Sequence, residues 1–220
     1  LPVAKNLVGA FYQPRAVLSD GGVLASLSGR QLASGLAEII KYGVIADGAH
    51  FSYLERFHAR ILDRNPGALE HVIARSSAIK AAVVSADERD TEGRRVTLNY
   101  GHTIGHAIEA AAGYSGRYDH GEAVAIGMVV AADISRRLGI LRAADRDRIE
   151  ALIRQCGLPT AVRGLSTAAI TASCIHDKKF INRQNRFVLP VKIGAVTVVE
   201  GVPGRIITDA VRSRAGRNEE

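Results

Sequence analysis

Apolar residues recur every three or four positions over most of the chain, and this spacing is typical of amphipathic α-helices. It predicts seven helices, over residues 29–42, 48–63, 67–85, 94–112, 121–138, 142–156 and 166–176. Ser28 and Gln31 form a capping box before the first helix, and Gly43 is expected to end it. Residues 123–132 are almost uniformly apolar, so the fifth helix is expected to lie at the centre of the fold.

Patterns that are typical of β-strands are confined to the two ends of the chain. Residues 186–192 and 195–200 predict two strands that are joined at Ile193–Gly194. Residues 15–19 predict one short strand that ends in a turn. The predicted fold class is therefore mainly α, a multi-helix domain with short β pieces at the N-terminal end and near residues 186–200.

The composition fits a core of small and aliphatic side chains. Hydrophobic residues make up 47% of the 220 residues, whereas aromatic residues make up 5% and tryptophan is absent. The formal net charge of +7 favours an acidic partner. Nucleic acid is one such partner, but the sequence has no aromatic and basic motif typical of RNA binding. An anionic small substrate accounts for the charge equally well, so we expect no nucleic-acid partner.

The sequence also bears on the cellular setting of the protein. Cys156 and Cys174 lack the spacing of metal ligands, and they are expected to be reduced core residues of a cytoplasmic protein. No apolar run approaches the roughly 20 residues of a membrane span, so no membrane partner is expected. The chain has no recognisable signal peptide. Its first residues read as the middle of a longer sequence, which predicts that the chain is a fragment.

Four residues near the middle of the chain, Arg95, Asn99, His102 and His106, carry the main chemical signal. Their spacings of four, three and four would place them on one stripe of a single α-helix. Two imidazoles four residues apart are a common way to hold Zn²⁺, and the alternative is a solvent-facing pair. Thr103 follows the first histidine, so the peptidase pattern His-Glu-x-x-His is absent.

Two further positions could supply metal ligands from elsewhere in the chain. His120 opens an apolar helix after a loop that contains glycine, although its neighbours Asp119 and Glu122 could simply cap that helix. Glu38 lies among apolar residues, where a charge is costly unless it is paired or bound to metal. With Lys41 it could instead form an ordinary surface ion pair.

Scattered cations could bind an anionic ligand, although any one of them could be an ordinary solvated side chain. They are Lys5, next to Asn6, and then Lys80, Lys178 and Lys179. Lys80 differs from the others because small or apolar residues surround it for several positions on both sides. The chain has no glycine-rich nucleotide-binding motif.

Six segments in this order resemble the 3-dehydroquinate synthase family, which belongs to the sugar-phosphate cyclase superfamily. The segments are residues 5–14, 35–43, 86–89, 98–109, 120–124 and 177–179. The resemblance implies an N-terminal NAD-binding α/β domain followed by a mostly helical, metal-binding domain. Residues 1–25 would be a remnant of the first domain, which is otherwise largely missing, and residues 26–220 would be the second.

The resemblance also implies roles for individual residues. Glu38, His102 and His120 match the family's zinc ligands, so His106 becomes a substrate-site residue rather than the metal partner of His102. The residues that match the surroundings of the substrate are Lys41, Lys80, Arg95, Asn99 and His106, together with Asn6. Lys5 matches a residue at the edge of NAD. One of Lys178 and Lys179, with Lys178 preferred, matches a phosphate-side lysine, and an acidic position falls on Asp90 or Glu92.

The activity implied by the resemblance is the conversion of 3-deoxy-D-arabino-heptulosonate 7-phosphate to 3-dehydroquinate and phosphate, in the shikimate pathway of aromatic amino acid biosynthesis. The enzyme would be a phosphate-eliminating lyase that recycles NAD and uses Zn²⁺, or Co²⁺ in its place, and the full-length protein would be a homodimer. Another sugar-phosphate cyclase, such as a 2-deoxy-scyllo-inosose or aminodehydroquinate synthase, is the nearest alternative. An inactive, metal-binding helical fragment is the other.

Overall fold

The computed structural model describes residues 12, 14–89, 91, 93–176 and 185–215. Its helices are α1 (Gly29–Ala46), α2 (Gly48–Leu62), α3 (Pro66–Ser85), α4 (His102–Ala111), α5 (His120–Arg137), α6 (Ala143–Gln155), α7 (Thr167–His176) and α8 (Gly204–Arg212). The strands are β1 (Arg186–Lys192) and β2 (Ala195–Glu200), and short 3-10 helices cover Gly21–Ser26 and Arg94–Asn99. The predicted mainly α fold is confirmed.

Helix α5 is the centre of the fold, as its uniformly apolar sequence predicts. Nearly all its residues from Gly121 to Ser135 are buried, and it contacts α1, α4, α6, α8 and β1. Small residues let its neighbours approach closely. A Cβ atom at Gly127 would lie 2.0 Å from the carbonyl oxygen of Gly101, and one at Gly121 would lie 2.0 Å from the carbonyl oxygen of Ser34. The backbones of α4 and α1 therefore pack directly on α5.

The two predicted strands form an antiparallel hairpin. Arg186 pairs with Glu200 and Val188 with Val198, and the turn lies at Ile193–Gly194. The amide of Gly194 donates a hydrogen bond of 2.9 Å to the carbonyl oxygen of Val44, at the end of α1. Four consecutive residues in the middle of β1 are buried, and the strand contacts α5. The hairpin thus covers one side of the central helix.

The predicted single helix over residues 94–112 is wrong. The 3-10 helix ends at Asn99, and α4 begins only at His102. Between them the buried Tyr100 donates a hydrogen bond of 2.9 Å to the carbonyl oxygen of Met128. Gly101 then takes a left-handed conformation (φ +80°), which an α-helix cannot continue through. The four-residue stripe is therefore divided between two elements.

Three smaller expectations also fail. Gly43 lies inside α1, because it allows close packing: a Cβ there would lie 3.1 Å from the Cα of Phe51 on α2. Residues 15–19 pair with no strand in the described part of the chain. The turn after them is instead the start of the 3-10 helix Gly21–Ser26, where the Asp20 carboxylate accepts a hydrogen bond from Gly22.

Helix α8 was not predicted. It buries Ile207, Ala210 and Val211, whose spacing of three and one is too short a pattern to stand out in the sequence. None of the helices in the described ranges combines the length and apolar character needed to cross a membrane.

Candidate metal and substrate site

Glu38, His102 and His120 meet at one point, although they come from three helices. Glu38 lies in the middle of α1, and the two histidines are the first residues of α4 and α5. One ligand atom from each residue lies within 4.8 Å of the others. The shortest separation recorded within the group is 3.5 Å, from His102 Nε2 to Glu38 Oε1. Two imidazoles and a carboxylate are a typical donor set for a catalytic divalent metal.

The tautomer of His102 follows from its hydrogen bond. Its Nδ1 atom lies 3.1 Å from the carbonyl oxygen of Tyr100 and therefore donates to it. The lone pair is left on Nε2, which faces Glu38. Burial lowers the pKa of His102 to about 4, and the positive charge of Lys41 acts in the same direction. The ring is consequently neutral at physiological pH, as metal binding requires.

The carboxylate of Glu38 fits a bound cation. Its Oε2 atom accepts a hydrogen bond of 2.5 Å from Lys41. Its Oε1 atom is buried and has no hydrogen-bond partner among the described residues. A buried carboxylate oxygen without a donor is costly, and a metal ion between Glu38 and the histidines would satisfy it. The residues present therefore fit a divalent metal.

The first turn of α5, which carries His120, is tied to the first turn of α1. Arg30 donates hydrogen bonds of 2.9 and 2.7 Å to the two carboxylate oxygens of Glu122. The same carboxylate accepts the backbone amide of Asp119 at 2.9 Å. The hydrogen bond from Arg30 lowers the pKa of Glu122. These contacts, with the close approach at Gly121, fix where α5 begins.

Two lysines bring positive charge to the site. Lys41 is buried, and burial lowers its pKa. The positive charge of Lys80 lowers this pKa further, whereas the carboxylate of Glu38 raises it. Lys80 itself is exposed on α3. Lys41 thus contacts the metal ligand Glu38 from inside the fold, and Lys80 lies close enough to Lys41, on the surface, for the two charges to interact.

The remaining predicted substrate residues lie on the two sides of the helix break. The His106 ring centroid lies 5.5 Å from that of His102 and 6.1 Å from that of His120. Arg95 and Asn99 lie on the 3-10 helix and line a cavity of about 360 Å³. Arg186 lines the same cavity, and nothing in its sequence surroundings indicated this.

One buried carboxylate near the site was also missed from sequence. Glu109 Oε2 lies 3.4 Å from His120 Nδ1. Its position as a charge in the otherwise apolar end of α4 was a usable signal. The predicted residues Lys5, Asn6, Lys178 and Lys179, and the acidic candidates Asp90 and Glu92, lie outside the described residues.

Two curated relatives named 3-dehydroquinate synthase match the chain closely. The protein of Acidithiobacillus ferrooxidans is 49% identical over 212 residues, which cover 96% of this chain and 58% of the relative. The protein of Desulforamulus reducens is 50% identical over 199 residues, which cover 90% of this chain and 55% of the relative. The chain therefore spans little more than half the length of these relatives.

Solved structures of sugar-phosphate cyclases share the fold. A 2-deoxy-scyllo-inosose synthase in complex with carbaglucose-6-phosphate, NAD⁺ and Co²⁺ is 28% identical, with a TM-score of 0.81 over 97% of this chain and 60% of that one. A 2-epi-5-epi-valiolone synthase of Streptomyces hygroscopicus with NAD⁺ and Zn²⁺ bound is also 28% identical, with a TM-score of 0.80 over 88% of this chain and 54% of that one.

A family model for the C-terminal part of 3-dehydroquinate synthase matches residues 35–180, which include the three candidate metal ligands. That match covers more than half of the chain, and it agrees with the relatives at about 50% identity. The chain belongs to the 3-dehydroquinate synthase C-terminal family.

Proposed function

We propose that this chain is the helical, metal-binding part of a 3-dehydroquinate synthase, which converts 3-deoxy-D-arabino-heptulosonate 7-phosphate to 3-dehydroquinate and phosphate. The convergence of Glu38, His102 and His120 on one point carries the proposal. The choice of substrate rests on identity. Relatives named 3-dehydroquinate synthase are 49–50% identical, whereas the inosose and valiolone synthases are 28% identical.

Glu38, His102 and His120 would hold Zn²⁺, or Co²⁺ in its place. The metal, when bound, would supply Lewis-acid polarisation of a substrate hydroxyl or ketone oxygen. Three protein ligands leave open positions, as in catalytic rather than structural zinc sites. The neutral ring of His102 and the buried Oε1 of Glu38 are the features that support this assignment.

The cationic and polar residues around the metal would bind an anionic sugar phosphate. Lys41 offers a charge from inside the fold, and a buried ammonium group interacts with an anion more strongly than an exposed one. Arg95 can bind a carboxylate or phosphate through two parallel hydrogen bonds. Asn99 and His106 would contact the substrate beside it, and Lys80 would approach from the surface of α3. Asn6 and Lys178 join this set by the family resemblance.

NAD⁺ would bind outside the described residues, with Lys5 at its edge. When bound, NAD⁺ would supply transient oxidation and re-reduction at a carbon that bears a ring hydroxyl, so there is no net redox change and the net reaction is a phosphate elimination. The two solved relatives contain NAD⁺ together with Zn²⁺ or Co²⁺, and this supports the assignment. A homodimer is proposed for the full-length protein, by family resemblance.

The test is phosphate release by the full-length protein that contains this chain, with NAD⁺ and Zn²⁺ present. We expect release from the heptulosonate phosphate and none from glucose 6-phosphate. Turnover of glucose 6-phosphate, without turnover of the heptulosonate phosphate, would overturn the substrate assignment in favour of an inosose synthase. A His102→Ala protein that keeps full activity and zinc content would overturn the metal site.

A further inference from the structure

We propose that Glu109 is a positioning residue for the metal centre, and that its carboxylate holds Nδ1 of His120 so that Nε2 is aimed at Glu38 and His102. This inference rests on the metal site of the proposed function. It adds a residue that is not itself one of the three ligands.

The burial of Glu109 means that its carboxylate must be paired or hydrogen-bonded inside the fold. Only 7% of the residue is exposed, and its neighbours on α4 include the buried Ala107 and Ile108. A buried carboxylate destabilises a protein unless it is paired or accepts hydrogen bonds. Its Oε2 atom lies 3.4 Å from His120 Nδ1, so an imidazole N–H is one of the groups that satisfy it.

The consequence for His120 follows from imidazole chemistry. A neutral ring has one N–H and one lone pair, and an acceptor beside Nδ1 places the hydrogen there. The lone pair is then left on Nε2. His102 shows the same arrangement, with the carbonyl oxygen of Tyr100 as its acceptor. A carboxylate is the stronger acceptor of the two, and it also raises the basicity of the ring as a ligand.

His120 needs such an anchor more than His102 does. The side chain of His120 is 45% exposed, whereas that of His102 is 14% exposed. An exposed ring has more rotamers to lose when it binds a metal. Glu109 lies on a rigid support, since a Cβ at Gly105 of α4 would lie only 3.2 Å from the Cα of Val124 on α5. The carboxylate can therefore hold the ring in one orientation.

The same atoms allow one competing arrangement. His106, Glu109 and His120 also place a ligand atom each within 4.8 Å of one another. They could hold a second metal that shares His120 with the first. The two arrangements differ in stoichiometry, because a positioning residue changes the affinity for one metal whereas a ligand changes the number bound.

The test is a Zn²⁺ titration of the chain against a competing chelator, comparing wild type with Glu109→Gln and Glu109→Ala. Glu70→Gln, at an exposed position of α3, is the matched control. We expect one zinc per chain throughout. The affinity should fall about 10- to 100-fold in Glu109→Ala and less in Glu109→Gln, which keeps an acceptor oxygen. The control should match wild type.

Two outcomes would overturn the proposal. Wild type that binds two zinc ions, of which Glu109→Gln loses one while the first binds unchanged, would make Glu109 a ligand of a second site. Equal affinities in all variants would remove Glu109 from the site. The ¹⁵N shifts of His120 in metal-free wild type give a test without any substitution, and a ring protonated at Nε2 would also contradict the proposal. These readouts do not depend on turnover, so a failure of the proposed reaction would leave them interpretable.

Discussion

Arg30 on α1 and Glu122 on α5 are joined by two hydrogen bonds, of 2.9 and 2.7 Å, across 92 positions of the sequence. Neither residue is a candidate metal ligand, yet the pair fixes the turn that begins with His120. The ion pair thus ties the helical turn that carries one candidate ligand to the helix that carries another.

Removal of this ion pair should weaken metal binding. In Arg30→Gln the first turn of α5 loses its attachment to α1, so the affinity for Zn²⁺ should fall by up to about 10-fold. A competition titration with a chromophoric chelator measures this. Arg205→Gln is a suitable control, because the Arg205 side chain is 92% exposed and its ion pair with Asp209 within α8 is long, at 3.8 Å. Equal affinities in the two variants would show that the ion pair does not position His120.

The backbone contact at Gly121 should be more sensitive than the ion pair. A methyl group there would meet the carbonyl oxygen of Ser34 at 2.0 Å, so α1 and α5 must separate. We expect Gly121→Ala to lose about 1–3 kcal/mol of unfolding free energy and to bind zinc more weakly. Gly35→Ala, where the added methyl meets nothing within 4 Å, should instead gain up to about 1 kcal/mol. Urea unfolding measures both, and similar values would refute the close approach.

Metal removal should destabilise the folded chain only while its ligands are intact. A ligand that binds only the folded state raises the unfolding free energy, by about 2.7 kcal/mol at a hundredfold excess over its dissociation constant. A chelator should therefore lower the melting temperature of zinc-loaded wild type and leave that of His102→Ala unchanged. Equal shifts in the two proteins would mean that zinc stabilises the fold from somewhere else.

His50 should make the fold sensitive to acid. It is buried on α2, its Nδ1 has no hydrogen-bond partner within the described ranges, and burial lowers its pKa to about 4. The unfolded histidine has a pKa near 6.5, so the unfolded chain takes up more protons between about pH 6.5 and pH 4. The unfolding free energy should therefore fall with falling pH, by about 3 kcal/mol from this residue across that window.

The variant His50→Gln isolates this contribution, because glutamine does not titrate. Metal-free wild type should lose more unfolding free energy than the variant between pH 7 and pH 4.5, as measured by urea unfolding. His102 has a similarly lowered pKa and is present in both proteins, so it cancels in the comparison. Parallel pH profiles would show that the pKa of His50 is the same in the folded and unfolded states.

The sequence predicts most helices here because their local signals agree. The capping box at Ser28 marks the beginning of a helix that the structure confirms. The break at Tyr100 could not be predicted in this way, since its cause is a hydrogen bond to Met128 on another helix. The prediction that Gly43 ends its helix was wrong for a similar reason, because Gly43 packs against Phe51 on another helix.

The candidate site shows the same limit more sharply. Spacing along the chain favoured His102 and His106 as a metal pair, because residues four apart share one helical face. The group that meets in space instead takes one residue from each of three helices. From the residues alone Glu38 and His120 were only possible ligands, and the family resemblance placed them ahead of His106. The contact between Glu109 and His120 could be found only in the structure, because it depends on the path of the loop that joins α4 to α5.

The contacts at Gly121 and Gly127 bear on which sequence changes the arrangement of the helices can tolerate. Where main chain rests on main chain, the distance between helices does not depend on the size of the side chains packed elsewhere. The interior can then accumulate many replacements while the three ligand-bearing helices stay in register. Such a domain would keep its backbone arrangement while most of its residues change, in agreement with TM-scores near 0.8 at 28% identity.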